Sequence, residues 1–545
     1  MKTAAKNKKA ILQLNGSALI IVLLIASVLM TIGIALLDKI SVSIRLARTD
    51  RLSVKVSYIT EAGIERARGR LSIVNDWTDT VLLPDALYSS EPLDGGTYTV
   101  TLAERDQDEI TVTSVGNLDT YTETLTVRLR ASSGWWNQNW KYRKPVEITN
   151  NSTENLSDHQ VKMQVDYIAG GLNSDFSDLR FTDIVGNPLF YWIESYVAST
   201  SAVVWVKIPS IAASGDVTIW MYYGNSVASS ASDKNSTMNF IEIGTINLSA
   251  QGFPGQWIDS INYSTTFSQP VIFVGPDSTY NNNQQMVIRL RNVTTTGFDL
   301  RPQEPSDCND IHPSETVSWL AIDKGEWVAL DGTKILADTY STGANLHAEA
   351  YSVDTSDIIA FKYTLTSPIV LPQIMSYDDT VFAKMRQYNV TGTGLRLGME
   401  NEGGSAVDHG IETVGWIAME SAAGTWESIP FEISLTPDTV TDAWYTINFS
   451  QSYVAAPAVM AFSPTRDGPD SCEYRGRNLT NVSIQVMVEE DTTNDGETGH
   501  ANEVMGYFVI GQTGLYPLGK YVSPEPTIEF GTEEAKKGTI IINYQ

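Results

Sequence analysis

Cysteine is nearly missing from this chain: Cys308 and Cys472 are the only two. Two thiols are too few for a disulfide framework or a zinc cluster. No proline occurs before Pro84, so nothing ahead of it forbids a continuous helix. Cationic residues are scarce beyond the N-terminal region. Residues 1–72 hold 12 Lys/Arg against 4 Asp/Glu, which leaves 25 against 60 for the rest of a chain whose net charge is −27. A surface that acidic repels phosphate backbones and excludes nucleic acid as a partner. Catalytic motifs are missing as well. There is no nucleophile elbow, no His-Glu-x-x-His, no phosphate loop and no carboxylate pair at a justifiable spacing, so an enzyme is not expected. Glu194, set among aromatics in FYWIESY (190–196), reads as a hydrogen-bonded or rim carboxylate.

What is present is aromatic and β-leaning. Thirteen Trp and 24 Tyr suit strands better than helical bundles. The exception is the N-terminus. Residues 1–16 carry Lys2, Lys6, Lys8 and Lys9, and SALIIVLLIASVLMTIGIALL (17–37) follows with no charge. That run spans roughly 30 Å as a helix, the thickness of a bilayer core. Lysines ahead of it predict a cytoplasmic N-terminus and an external bulk. Leu52, Val56, Ile59, Ala67 and Leu71 continue one helical stripe, so the spacing predicts a single helix over 17–72.

The basic leader ending in Gly16, the hydrophobic helix from Ser17, and YITEAGIERA (58–67) resemble the N-terminal region of type IV pilin-like proteins, the PilX-like minor pilins in particular. The resemblance implies cleavage between Gly16 and Ser17, pilin subunits as partners, and a helix packed in a filament core. Ile21 stands at the fifth mature position, where pilins carry Glu. Without that resemblance, residues 1–37 read as a signal anchor with a membrane span at 17–37.

Residues 73–133 predict a small β headpiece from the alternating runs at 97–105, 109–116 and 121–130. Residues 134–238 open with GWWNQNWKYR (134–143), pass through DLRF (178–181) and close on YYGN (222–225). These motifs resemble a domain of unknown function of prokaryotic surface proteins. An antiparallel β-sandwich is its natural fold.

Beyond residue 245 the chain repeats itself. HPSETVSWLAI (312–322) returns as HGIETVGWIAM (409–419) and HANEVMGYFVI (500–510). Ahead of each stands an asparagine opening a strand: Asn292, Asn389 and Asn478, lying 20, 20 and 22 residues before the histidines. The units run over 245–344, 345–437 and 438–522, with a tail at 523–545. Each is large enough for a small sandwich. The NVTTTGF (292–298) and VSWLA (317–321) segments resemble the H-type lectin family. That implies antiparallel β-sandwiches, sugar binding, and three copies in one chain standing in for a trimer.

The fold expected is therefore mainly β: a long N-terminal transmembrane or pilin-like helix, a small β headpiece, and tandem antiparallel β-sandwiches. In each repeat the histidine belongs to a loop mouth, where an imidazole can hold the loop to the glutamate, and the small residue (Ser318, Gly415, Gly506) admits another backbone or ring. The alternative role is ligand contact by His312, Glu315, Trp319, His409, Glu412, Trp416, His500, Glu503 and Tyr507. One histidine with one carboxylate is too few ligands for zinc. No cofactor is expected, although calcium would suit the loop acids Asp307, Asp310, Glu402, Asp408, Asp491 and Asp495. Closure of the units into a ring would bring the first and third together and allow a Cys308–Cys472 bridge. Asn-x-Ser/Thr sequons occur at Asn151, Asn155, Asn235, Asn292, Asn389 and Asn478.

These features point to a cell-surface or pilus-associated adhesin whose partners are glycans or a host or neighbouring cell surface. A structural minor pilin or envelope protein with protein-binding repeats is the alternative. A polysaccharide-acting enzyme with accessory β-domains is the third reading.

Overall fold

The computed structural model describes residues 2–71, 80, 83–104, 109–130, 135–137, 139–252, 256–281, 284–308, 311–347, 355–404, 408–468, 470–493 and 496–535. It contains two compact units, divided after Asn139.

The first unit is a helix with a sheet. Helix α1 runs Lys2–Leu71, 70 residues without interruption, or about 105 Å. It starts earlier than the expected 17–72, and Gly16 and Ser17 lie inside it. The leader is rich in Ala and Lys, both strong helix formers, and a lone glycine does not stop it. From Ile21 to Leu46 its large apolar side chains are exposed, and the helix is long and apolar enough to cross a membrane. Further along, Val56, Ile59, Ile64, Ala67 and Leu71 turn inward. They pack on a meander of β1 (Ala86–Leu93), β2 (Gly96–Ala103), β3 (Glu109–Leu118) and β4 (Tyr121–Arg130). The strand β1 was not anticipated, because SSEP (89–92) carries no apolar alternation.

The second unit holds a sandwich and a ring. In the sandwich, strands Leu156–Asp166, Ser201–Ile211 and Tyr191–Val197 form one sheet, and Tyr142–Thr149, Asp216–Tyr223 and Arg180–Thr182 form the other. The quoted motifs hold its turns together. Asp178 of DLRF is fully buried and accepts the amides of Gly224 (2.7 Å) and Asn225 (3.1 Å) of YYGN. Trp140 Nε1 donates to the Asp178 carbonyl at 2.6 Å. Glu194 accepts Trp205 Nε1 at 2.6 Å and pairs with Lys162 at 3.1 Å. The expected tail is partly structural: strand Thr527–Phe530 returns to pair with Tyr142–Thr149 and extends that sheet.

Everything between belongs to the ring, whose three units share one topology. Each has a three-stranded sheet with the same order: Asp259–Asn262, Gly297–Gln303, Val287–Thr294 in the first; Asp357–Ala360, Gly394–Asn401, Ala383–Thr391 in the second; Tyr445–Asn448, Ser483–Glu490, Cys472–Arg477 in the third. Each faces a second trio: Asn239–Leu248, Glu315–Asp323, Pro270–Asp277; Lys334–Thr342, Glu412–Met419, Ile369–Ile374; and Ile429–Leu435, Gly506–Ile510, Ala458–Phe462. Units therefore begin earlier than the edges near 245, 345 and 438.

A linking strand leaves each unit and lies on the first strand of the next. Gly325–Ala329 pairs with Lys334–Thr342, and Ala422–Trp426 pairs with Ile429–Leu435. Gly514–Lys520 pairs back onto Asn239–Leu248 and closes the ring. The first and second trios share one eight-stranded sheet with Gly325–Ala329 and Gly514–Lys520, whereas the third trio forms a separate four-stranded sheet with Ala422–Trp426. The repeated asparagines explain themselves here. Asn292, Asn389 and Asn478 have φ of 51°, 53° and 52°, a left-handed conformation that asparagine tolerates better than most residues. Each turns the hairpin into its second strand. At Gly394, a Cβ would lie 2.1 Å from the Ile359 carbonyl, so only glycine fits.

Candidate functional site

The repeated His-x-x-Glu segments lie at the seams between units. Each glutamate is fully buried and receives an arginine from the preceding unit. Arg289 reaches Glu412 at 3.0 Å, Arg386 reaches Glu503 at 3.7 Å, and Arg475 reaches Glu315 at 3.4 Å. The third contact crosses the closure of the ring. All three arginines stand three residues before the repeated asparagine and are buried. A guanidinium is the cation suited to such a place, because its planar fork spreads charge over several acceptors. Arg289 also donates to Gln303 (3.0 Å) and the Val381 carbonyl (2.9 Å), while Arg475 pairs with Asp277 (2.7 Å) and Glu489 (2.6 Å).

Each glutamate is fixed by its own unit as well. Glu412 accepts the Ser376 hydroxyl, the amides of Asp378 (3.0 Å) and Asp379 (3.1 Å), and His409 Nε2 (3.1 Å). Thr465 and Thr279 take the place of Ser376 at Glu503 and Glu315. Burial alone would raise the Glu412 pKa, but the His409 hydrogen bond, the loop amides and the Ser376 hydroxyl outweigh it and hold it at about 2. Glu315 and Glu503 are lowered by the same balance.

The histidines tie loop to sheet. His312 Nδ1 meets Glu304 at 2.8 Å and its Nε2 faces Glu315 at 3.6 Å; His500 meets Glu490 at 2.7 Å and Glu503 at 3.2 Å. Burial lowers the His500 pKa, but Cys472 and Glu503 override it and lift it to about 10. In the second unit Asn401 replaces the loop glutamate, and His409 Nδ1 faces Asp379 at 3.9 Å.

The small residue of each motif admits the preceding unit. Ser318 Oγ accepts the amide of Val459 at 3.1 Å. A Cβ on Gly415 would meet Val271 at 2.9 Å, and one on Gly506 would meet Ile369 at 3.0 Å. Trp319, Trp416 and Tyr507 lie in the cores. All nine residues singled out as ligand contacts are thus buried. Alternation of faces fails to expose any of them, because the strands are covered on both sides.

Two further expectations are corrected. Cys308 and Cys472 are free thiols. Cys472 is engaged at the second–third seam by Arg386 and by His500 Nε2 at 3.8 Å. Cys308 sits in the late loop of the first unit, where burial and Asp307 push its thiol up to about 12. Among the described residues, the loop acids Asp307, Glu402, Asp408 and Asp491 do not gather as calcium ligands. They link the three late loops in a circle: Glu402 accepts the Ser306 amide (2.6 Å), Asp491 the Gly403 amide (2.6 Å), and Asp307 the hydroxyls of Thr492 and Thr493 (both 3.1 Å). Asp408 pairs with His347 at 3.2 Å, and Asp310 and Asp495 lie outside the described residues. Among the described residues the acids that do converge are Asp470, Glu490 and Glu497.

Outside each buried seam is a rim, and here the units differ. At the first–second rim, Trp257 is half-buried beneath two guanidiniums, Arg291 at 4.4 Å and Arg301 at 4.8 Å, with Tyr377 of the next unit edge-on at 5.1 Å. Beside it opens a cavity of about 610 Å³ lined by Arg291, Asn292, Lys324, Thr339, Tyr377 and Asp378. At the third–first rim, Arg477 lies 4.0 Å over Trp444, with Tyr280 edge-on at 4.8 Å. The second–third rim has no tryptophan among its described residues. Tyr388 bonds Ser356 (2.9 Å), Arg396 donates to Ser356 (3.2 Å), and Arg466 stands where the others have tyrosine. These aromatic groups escaped the sequence reading. The signal was present in QWIDS (256–260) and AWYTI (443–447), where a tryptophan precedes the leading strand of a unit's three-stranded sheet, but the second unit lacks it.

Comparison with known proteins adds a partial match. Residues 175–287 match the family described as Domain of unknown function (DUF2341), a segment that begins in the sandwich and ends in the first unit of the ring. The chain is 29% identical over 261 residues to halomucin of Haloquadratum walsbyi, covering 46% of this chain and 3% of that protein. It thus spans a small fraction of that relative's length. No solved structure matches the chain. These similarities and the apolar helix are consistent with a membrane-anchored protein of the cell surface.

Proposed function

We propose that this chain is a cell-surface adhesin whose ring holds carbohydrate at the first–second and third–first rims. The observation that carries this reading is the Trp257, Arg291 and Tyr377 group beside an open polar cavity. An aromatic face accepts the apolar face of a pyranose, while guanidinium and amide donors bind its hydroxyls. Trp444, Arg477 and Tyr280 offer the same chemistry at a second place. Two weak sites on one rigid ring gain from simultaneous engagement of a surface. The resemblance to H-type lectins and the similarity to a protein named halomucin support a role among surface glycans. In this reading the role is binding rather than catalysis, and the N-terminal helix anchors the chain with its N-terminus cytoplasmic or enters a pilus beside other pilin subunits.

The test is a glycan array probed with the full chain in detergent. Binding is expected, and Trp257→Ala with Trp444→Ala removes it while the melting temperature stays within a few degrees. A flat array with folded protein overturns the proposal.

A further inference from the structure

A second polar recess lies away from the seams, between the sandwich and the ring. Its walls are the sandwich strand Leu156–Asp166 and the linking strands Gly325–Ala329 and Gly514–Lys520. Two cavities of about 300 and 250 Å³ open there and share His159, Lys520, Tyr521 and Val522. The walls are held together across the gap. Lys362 bridges Glu154 of the sandwich (2.8 Å) and Glu326 of the ring (3.3 Å), and Lys162 donates to the Leu330 carbonyl at 3.1 Å. The recess is thus a fixed feature of how the two bodies meet.

Two of its polar groups lack a counterpart. His159 is only 4% exposed, and its imidazole has no hydrogen-bond partner among the described residues. Burial and the charge of Lys520 hold its pKa at about 4, so it is a neutral imidazole with one N–H to give. Lys520 donates to the Ser157 carbonyl at 2.7 Å and has no carboxylate within ion-pair distance among the described residues. Its ammonium is half-buried, and Lys207 adds like charge nearby. Asp158 and Glu326 add opposite charge, but neither lies within ion-pair distance of the ammonium, and burial outweighs them. Glu154 and Glu326 are taken by Lys362, and Asp331 accepts Thr333 and Trp426. Asp158 and Glu525 are exposed. A half-buried cation without an ion pair is conspicuous in a stretch of chain with 25 basic residues against 60 acidic ones.

We propose that this recess binds the oxyanion of an acidic sugar, a carboxylate or a sulfate ester, with Lys520 as counter-ion and His159 as hydrogen-bond donor. The charge-assisted contact to Lys520 is the stronger of the two. A bare anion would leave most of the roughly 300 Å³ empty, and a monosaccharide fills it. Tyr521, braced edge-on by Tyr363 at 4.9 Å, supplies an aromatic wall.

Calorimetry on the full chain in detergent tests this with four probes: glucuronate, glucose 6-sulfate, glucose and sodium sulfate. The two acidic sugars are expected to bind at least about tenfold more tightly than glucose or sodium sulfate, a gap of about 1.4 kcal/mol. Lys520→Met abolishes the preference, Lys520→Arg retains it, and His159→Gln weakens it by a few-fold. Equal binding of glucose and glucuronate, unchanged binding by folded Lys520→Met, or sodium sulfate binding as tightly as the sugars each overturns the proposal. The double change Trp257→Ala and Trp444→Ala leaves the glucuronate preference intact, which separates this recess from the rims.

Discussion

The seams and the rims of the ring are neighbours built on opposite rules. Every seam repeats the same arginine, glutamate and histidine, buried and within ion-pair distance, whereas the rims keep tryptophan at two places and lose it at the third. The difference teaches that repetition in this chain marks assembly. A residue that must fit the adjacent unit is needed at all three seams. A residue that faces solvent is free to vary from one copy to the next, and such variation is where recognition can specialise.

Breaking a seam should give the largest effect. Arg475→Met leaves Asp277, Glu315 and Glu489 buried without their cation, and loss of one partner from such a cluster costs about 3–5 kcal/mol. Urea denaturation followed by tryptophan fluorescence measures it. A loss below about 1 kcal/mol would mean the seams do not hold the ring.

Acidity probes the same contrast. Glu412 has a folded pKa of about 2 against an ordinary 4.5. Its contribution is therefore complete above pH 4.5 and lost as the pH falls through about 2. His500 works in the other direction: raised from 6.5 to about 10, it stabilises fully below pH 6.5 and ceases to do so as the pH rises through about 10. Melting temperature against pH should flatten on the acid side in Glu412→Gln and on the alkaline side in His500→Gln, and neither change should alter glycan binding at neutral pH beyond its effect on folding.

Smaller effects belong to the hairpins. Asn389→Ala removes the amide side chain that makes left-handed backbone tolerable here, at a cost of about 1 kcal/mol, while Asn389→Gly should cost less than half of that. Smallest of all on stability is Trp257→Ala, expected below about 1 kcal/mol because the ring is only half-buried. If it unfolds the ring instead, the rim is scaffold and the contrast drawn above fails.

Much of this was legible in the residues. An uncharged run of helical length predicts α1, alternation predicts the strands, and three spaced copies predict three like units. The histidines and glutamates were visible as a pattern, but their partner was not. Arg289 and Glu412 are separated by 123 residues, and spacing along a chain says nothing about which unit an arginine will enter. The same limit hid strand Thr527–Phe530, whose partner Tyr142–Thr149 lies far upstream. The rims were missed for a different cause: a search for what recurs passes over Trp257 and Trp444, which the second unit does not have.

The returning strand Thr527–Phe530 also sets an order of events during synthesis. Tyr142–Thr149 emerges from the ribosome about 380 residues before the strand that will cover its flank, and domains generally fold as they appear. The ring must therefore close while its host still carries a bare edge, a surface open to pairing with a foreign strand. A nascent chain stalled after Lys520 would display that edge, and translation of Thr527–Phe530 is what covers it.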